Sequence, residues 1–190
     1  MKITTSTRLA LMGAFIALFV YSCSNNGSEN LENKSLRTQA ELSTTIDSLK
    51  GKLSDPMSNE EAMLLSQELM QSCLEFVDVY PKDDRCADYL FIASRAANGL
   101  GEYEESLKIL NRIKKGYVGY VKMPEVYFLY AFTLDEDMEK KEEAKEAYLD
   151  LISEFPDEPL SAQARVLLEQ LYMSDEELIE MWKMKEKTNS

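Results

Sequence analysis

The sequence predicts an all-α fold built as a succession of antiparallel helix pairs. Apolar residues recur at the three- and four-residue spacings of a helix face from Leu42 onward, and no stretch alternates with the period of two that a strand requires. Breaks at Pro56, Pro81, Gly101, Pro124 and Pro156 are close enough together that consecutive helices must fold back on one another. The chain also states one pattern twice. EFVDVYPKDDRCADYLF at 75–91 is echoed by DLISEFPDEPLSAQARV at 150–166. Leu74, Pro81 and Ala87 fall on Leu149, Pro156 and Ala162, and Phe76, Val77, Tyr80 and Asp83 on Leu151, Ile152, Phe155 and Glu158. A pattern repeated along a helical chain implies a repeated fold unit.

Residues 1–22 stand apart from the fold. Lys2 and Arg8 precede an apolar run from Leu9 to Tyr21, too short to span a bilayer comfortably and arranged as a secretory signal. The run ends in VYSC, which resembles bacterial lipoprotein signals, where a small residue (here Ser22) precedes a cysteine that is lipidated and becomes the new N-terminus. That resemblance implies lipidation of Cys23, so that a membrane is one partner through the lipid anchor. Ser24, with no acidic cluster after it, resembles a context for the outer membrane, facing the periplasm. Two or more acyl chains make such anchoring stable where one is marginal.

The full chain has 21 basic and 34 acidic residues, a net charge of −13, and loss of 1–22 removes two more cations. A field so negative excludes nucleic acid as a partner and serves solubility. The remaining length suffices for one domain with a real core. With Cys23 modified, Cys73 and Cys86 are left, nearly symmetric about the turn at Pro81. Either they bridge two antiparallel helices in an oxidising compartment, or they are small buried thiols that pack as hydrophobes.

Residues 23–37, largely SNNGSENLENK, have almost nothing to bury and read as a tether. A short helix is expected within 38–55, where Leu42, Ile46, Leu49 and Leu53 form a stripe. The stripe suits docking on the domain better than an oligomerising stalk, being only two heptads long. The main domain, 56–187, opens with Ser58 and Glu61 as a capping box, and Ala62, Leu65, Leu69, Cys73, Phe76 and Tyr80 then mark one face up to Pro81. Further helices are expected from Cys86 to Asn98, Tyr103 to Ile113, Pro124 to Leu134, Glu142 to Phe155 and Leu160 to Leu171. Ser174 and Glu177 cap the last.

Within YLFIASRAANGLGEYEESLKILNRI, the residues Leu90, Ala93, Ala97, Gly101, Tyr103, Ser106, Leu110 and Ile113 resemble the packing positions of tetratricopeptide repeats. Tyr127, Ala131, Ala144, Tyr148, Leu151 and Pro156 match in the next unit, with one extra residue near Met138. Ser94 replaces the usual glycine, and no proline closes the first unit. The resemblance covers about 59–187 and implies a right-handed superhelix of antiparallel helix pairs, each about 34 residues long and dependent on its neighbours for a core. Small residues at Ala93, Ser106, Ala131 and Ala144 allow the close helix contacts this requires. The helix at 59–80 serves as a leading half-repeat.

Catalytic chemistry has little to stand on. Histidine is absent, and there is no phosphate-binding glycine loop, nucleophile elbow or metal-spaced cysteine pair, so no enzyme, metal or cofactor is expected. The acidic run at 135–146 is interleaved with lysines and lacks calcium-loop spacing. In the repeat family, the first helix of each unit lines the concave surface. Carried over, the resemblance implies a binding strip of Asp88, Phe91, Arg95 and Asn98, then Glu125, Phe128, Phe132 and Asp135, then Gln163, Val166 and Gln170. Aromatics flanked by acids would suit an extended or helical segment with apolar anchors and basic flanks, while the alternative is that these aromatics pack against neighbouring helices. The lysine and asparagine clamp some family members use for peptide C-termini is absent. The expected function is a membrane-tethered, non-catalytic adaptor or scaffold for another envelope protein or peptide segment; the rival is a periplasmic chaperone or translocon accessory binding unfolded clients. The sequence sets no oligomeric state.

Overall fold

The structure, a computed structural model, describes residues 37–188. The expected signal segment, the expected lipidation at Cys23 and the expected tether up to Leu36 lie outside the described residues. Every element among the described residues is helical, as the periodicity predicts: α1 (Gln39–Lys52), α2 (Asn59–Val79), α3 (Cys86–Gly99), α4 (Tyr103–Gly116), α5 (Met123–Phe132), α6 (Lys141–Glu154), α7 (Pro159–Gln170) and α8 (Asp175–Thr188). Packing joins consecutive helices from α1 through α7.

The helix starts are set by local chemistry. At Ser58 the hydroxyl accepts from the Glu61 amide and the Glu61 carboxylate accepts from the Ser58 amide, closing the expected capping box, and Ser174 with Glu177 repeats it before α8. Thr38 and Glu41 form a third box at α1. Each satisfies two amides that the first turn of a helix leaves unbonded.

The short helix α1 is part of the core. Leu42, Ile46 and Leu49 are buried, because the first residues of α1 run beside the last of α2: Tyr80 donates its hydroxyl to the Arg37 carbonyl at 3.0 Å, and Arg37 pairs with Glu75. These contacts make α1 and α2 an antiparallel pair, where the sequence pattern offers only a half-repeat.

The backbone shows why the sequence echoes itself. The helices α2, α4 and α6 all end on an aromatic residue in nearly the same conformation: Tyr80 at φ −122° and ψ 55°, Tyr117 at −134° and 52°, Phe155 at −134° and 59°. In each turn that follows, the aromatic carbonyl accepts from the amide three residues on, and that residue's carbonyl accepts from the amide three further on. The pairs are Asp83 to Tyr80 and Cys86 to Asp83, then Tyr120 to Tyr117 and Met123 to Tyr120, then Glu158 to Phe155 and Ser161 to Glu158. The echo at 75–91 and 150–166 is the first and third copy of this turn. The middle copy, GYVGYVKM, keeps the aromatic but replaces proline with Val118, which hides it in the sequence.

The opposite turns repeat as well. Gly101 at φ 77° precedes Glu102 at −85° and 59°, and Glu139 at φ 53° precedes Lys140 at −90° and 66°. Glycine adopts the left-handed conformation at little cost, whereas Glu139 must be held there. The helix before it does the holding. α5 runs into a π-helical turn, Thr133–Asp137, in which the Met138 amide donates to the Thr133 carbonyl at 3.1 Å, so the extra residue expected near Met138 is absorbed within the helix.

One buried cluster runs through α1–α4 to Val126 and a second through α5–α7, with half-buried Tyr127, Tyr130 and Phe155 packed against both. Ala93, Ser106, Ala131 and Ala144 are fully buried, as close contact requires. Cys73 and Cys86 are free thiols, both buried. Cys86 donates its thiol to the Tyr80 carbonyl at 3.2 Å, the place taken at the third turn by the Ser161 hydroxyl on the Phe155 carbonyl at 2.6 Å. Of the two readings of this pair, the structure holds the buried thiols, with Cys86 acting as a cap.

Two outcomes follow from this packing. The Ser106 hydroxyl is buried with no hydrogen-bond partner among the described residues, so Ser106→Ala is expected to raise stability by about 1 kcal/mol in denaturant titration, since an unpaired buried hydroxyl costs about 1–3 kcal/mol. Asp83 accepts from the Arg85 guanidinium at 2.8 Å and from Gln39 of α1, and the arginine holds its carboxyl down at about 2 against 3.8 for an ordinary aspartate. A folded-state value below the unfolded one stabilises above pH 3.8, and that stabilisation is lost as pH falls toward 2. Melting temperatures between pH 5 and 2 are expected to fall less in Asp83→Asn than in the parent; parallel curves would contradict this.

Candidate binding groove

α3 is buried on the sides facing α2 and α4 through Tyr89, Leu90, Ala93 and Ala97, and its remaining face carries Asp88, Phe91 and Arg95 at helical spacing. Across from it, α1 contributes Asp47 and Lys50, the turn after it Leu53 and Ser54, and α2 Ser66 and Leu69. Together they line an open groove of about 900 Å³. Leu53, Leu69, Phe91, Ile92 and Ala96 give it apolar surface, and Lys50, Arg85, Arg95 and Lys122 stand at it as cations.

Most of these charges are already satisfied. Asp88 accepts from Lys122 at 2.9 Å and Tyr120 at 2.8 Å; the lysine holds its carboxyl below the usual range, and burial pushes the Tyr120 phenol up. Lys122 also lies 5.8 Å from the Phe91 ring, whose edge meets Tyr120 at 6.3 Å. Lys50 pairs with Asp47 at 3.2 Å and Arg85 with Asp83. Arg95 is exposed and has no ion-pair or hydrogen-bond partner among the described residues. The unbalanced charge of the groove is therefore positive, opposite in sign to the chain.

The other residues of the expected strip lie elsewhere. Asn98, one turn beyond Arg95, donates to Thr133 Oγ1 at 2.7 Å and Asp137 Oδ2 at 3.1 Å, pinning the π turn. Asp135 accepts from buried Tyr148 at 3.2 Å, and burial raises its pKa. Phe128 and Phe132, four residues apart on α5, are half-buried and stack at 5.9 Å, with Phe128 also 6.3 Å from Tyr148. Glu125 on α5 and Gln163 and Val166 on α7 are exposed, Gln170 is half-buried, and none of them lines this groove. Sequence spacing along single helices could not find Lys50, Leu53 or Lys122, which reach the site from other elements.

Among the described residues, no group of three or more Cys, Asp or Glu side chains is placed to hold a metal ion, and no helix is long and apolar enough to cross a membrane. No protein-family model matches this chain, and no curated protein is significantly similar to it.

Burial pushes the Cys73 thiol up to about 12 and raises Cys86 in the same direction. Because the thiolate is the reactive form, iodoacetamide at pH 8 is expected to leave both residues largely unmodified in the folded chain and to alkylate both in urea. Rapid native-state alkylation of Cys73 would contradict its burial.

Proposed function

We propose that this chain is a membrane-tethered, non-catalytic adaptor of the bacterial envelope that holds a segment of another envelope protein in the groove between α1 and α3. The observation that carries the reading is Arg95, a cation without a partner among the described residues, beside an apolar surface that includes Phe91 and Ile92. A segment with apolar anchors and a carboxylate fits that surface. The acidic strip of the sequence favoured basic flanks; neutralisation of Asp88 by Lys122 and engagement of Asp135 by Tyr148 remove that preference.

The helix pairs are proposed to follow the tetratricopeptide plan of a right-handed superhelix. The repeated turns at Tyr80, Tyr117 and Phe155 and the small buried residues at Ala93, Ser106, Ala131 and Ala144 support it. On this plan α1 and α2 are a full unit rather than a helix and a half-repeat. The tether is proposed to be lipid on Cys23, which would place the domain at the periplasmic face of the outer membrane.

Capture from crosslinked envelopes tests the adaptor. One stoichiometric partner is expected; a broad set of clients would instead indicate a chaperone. Arg95→Glu is expected to leave melting unchanged, since exposed substitutions cost at most about 0.5 kcal/mol, and to weaken capture at least about tenfold in a salt-dependent way. A folded Arg95→Glu variant that captures the partner as well as the parent does would remove the groove from the reading.

A further inference from the structure

We infer that the middle turn, Val118–Val121, docks on the phospholipid surface to which the chain is tethered. Val118 and Val121 are 83% and 84% exposed, the most exposed of the large hydrophobic residues among those described. The turn itself does not require them. Its two counterparts adopt the same hydrogen-bonded path with Pro81 and Asp84, and with Pro156 and Pro159, in the places of the valines. Two apolar side chains projected into solvent by a turn whose siblings do without them are suited to something outside the molecule. Beneath them Tyr117 and Tyr120 are half-buried, with the Tyr120 hydroxyl on Asp88, so the turn grades from aliphatic tip to aromatic base as an interfacial segment does.

The position of the chain's entry selects the occupant. α1 begins at the same edge: the Arg37 carbonyl accepts from Tyr80, Gln39 donates to Asp83, and Pro81 to Asp84 line with Val118 and Val121 a single cleft of about 590 Å³. The stretch from Cys23 to Leu36 spans at most about 50 Å and joins the domain at this edge, so with a lipid on Cys23 this edge has the shortest path to the bilayer. The inference rests on the lipid-anchor reading above. Local charge does not oppose it, although the chain is acidic. Asp83 and Asp88 in the cleft are paired with Arg85 and Lys122, Lys82 offsets Asp84, and Lys115 adds a cation with no ion-pair partner among the described residues.

The test uses the full chain isolated from membranes, with single-cysteine replacements Val118→Cys, Val121→Cys and, at the opposite edge, Lys141→Cys, each carrying an environment-sensitive fluorophore. The proteins are added to vesicles of phosphatidylethanolamine and phosphatidylglycerol with brominated acyl chains, and mass spectrometry of the N-terminal peptide reads acylation of Cys23. Quenching at least about threefold stronger at 118 and 121 than at 141 is expected for a membrane-docked turn. Acylated protein with equal quenching at all three sites overturns the docking and leaves the anchor standing. Selective quenching without acylation supports the turn's own affinity and removes the anchor, and absence of both overturns the two together. A blue shift at 118 that precedes vesicle addition, with no bromine quenching afterwards, assigns the turn to a protein contact and overturns the inference.

Discussion

An aromatic residue at the end of α2, of α4 and of α6 governs this architecture. Tyr80, Tyr117 and Phe155 leave the helical conformation in the same way, and each carbonyl starts the same pair of turn hydrogen bonds. The ring makes the stop cooperative with the core: Tyr80 lies 5.4 Å from Phe76, and Phe155 meets Tyr127 edge-on at 5.4 Å. A helix end fixed by a half-buried ring directs the next helix back along the first. Without that direction each helix would keep an apolar face it cannot bury alone.

Fold and site are coupled through α3. Its small residues, Ala93 and Ala97, let α2 and α4 approach on two sides, and the two contacts leave only one face free. The free face is the groove wall. Asp88, Phe91 and Arg95 are presented by a helix held on both flanks, which makes the groove a rigid platform rather than a loop surface. Asn98, on the following turn, is diverted to the π turn, so the site ends where the next helix pair is braced.

Charge is distributed unevenly over an acidic molecule. Pairing takes up part of the cationic charge, as in Arg37 with Glu75, Arg85 with Asp83 and Arg112 with Asp78. Lys114 is turned inward, 3.8 Å from the Tyr127 ring, where burial lowers its pKa. Of the four cations at the groove, Arg95 is the one with no carboxylate within ion-pair distance among the described residues. Composition reports the mean field, but recognition depends on which charges remain after neighbours are paired.

Helix periodicity, the capping box at Ser58 and the close-packed small residues were legible in the sequence, because each is a property of residues within about one helical turn of one another. The echo of the first and third turns was legible too, through shared prolines and aromatics. The middle turn was not: the backbone hydrogen bonds that define it need no particular side chain at Val118. Of the strip expected from the sequence, spacing placed Asp88, Phe91 and Arg95 on one face of α3, where they lie, but could not reveal what the same spacing on α5 would meet. Tertiary structure alone decided that α1 completes a pair, that Asn98 and Asp135 serve the fold, that Cys73 and Cys86 stay unbonded, and that the groove's free charge is positive. The reason is physical: local sequence sets which face of a helix is apolar, whereas exposure and pairing are fixed only when other helices arrive and remove surface and partners from solvent.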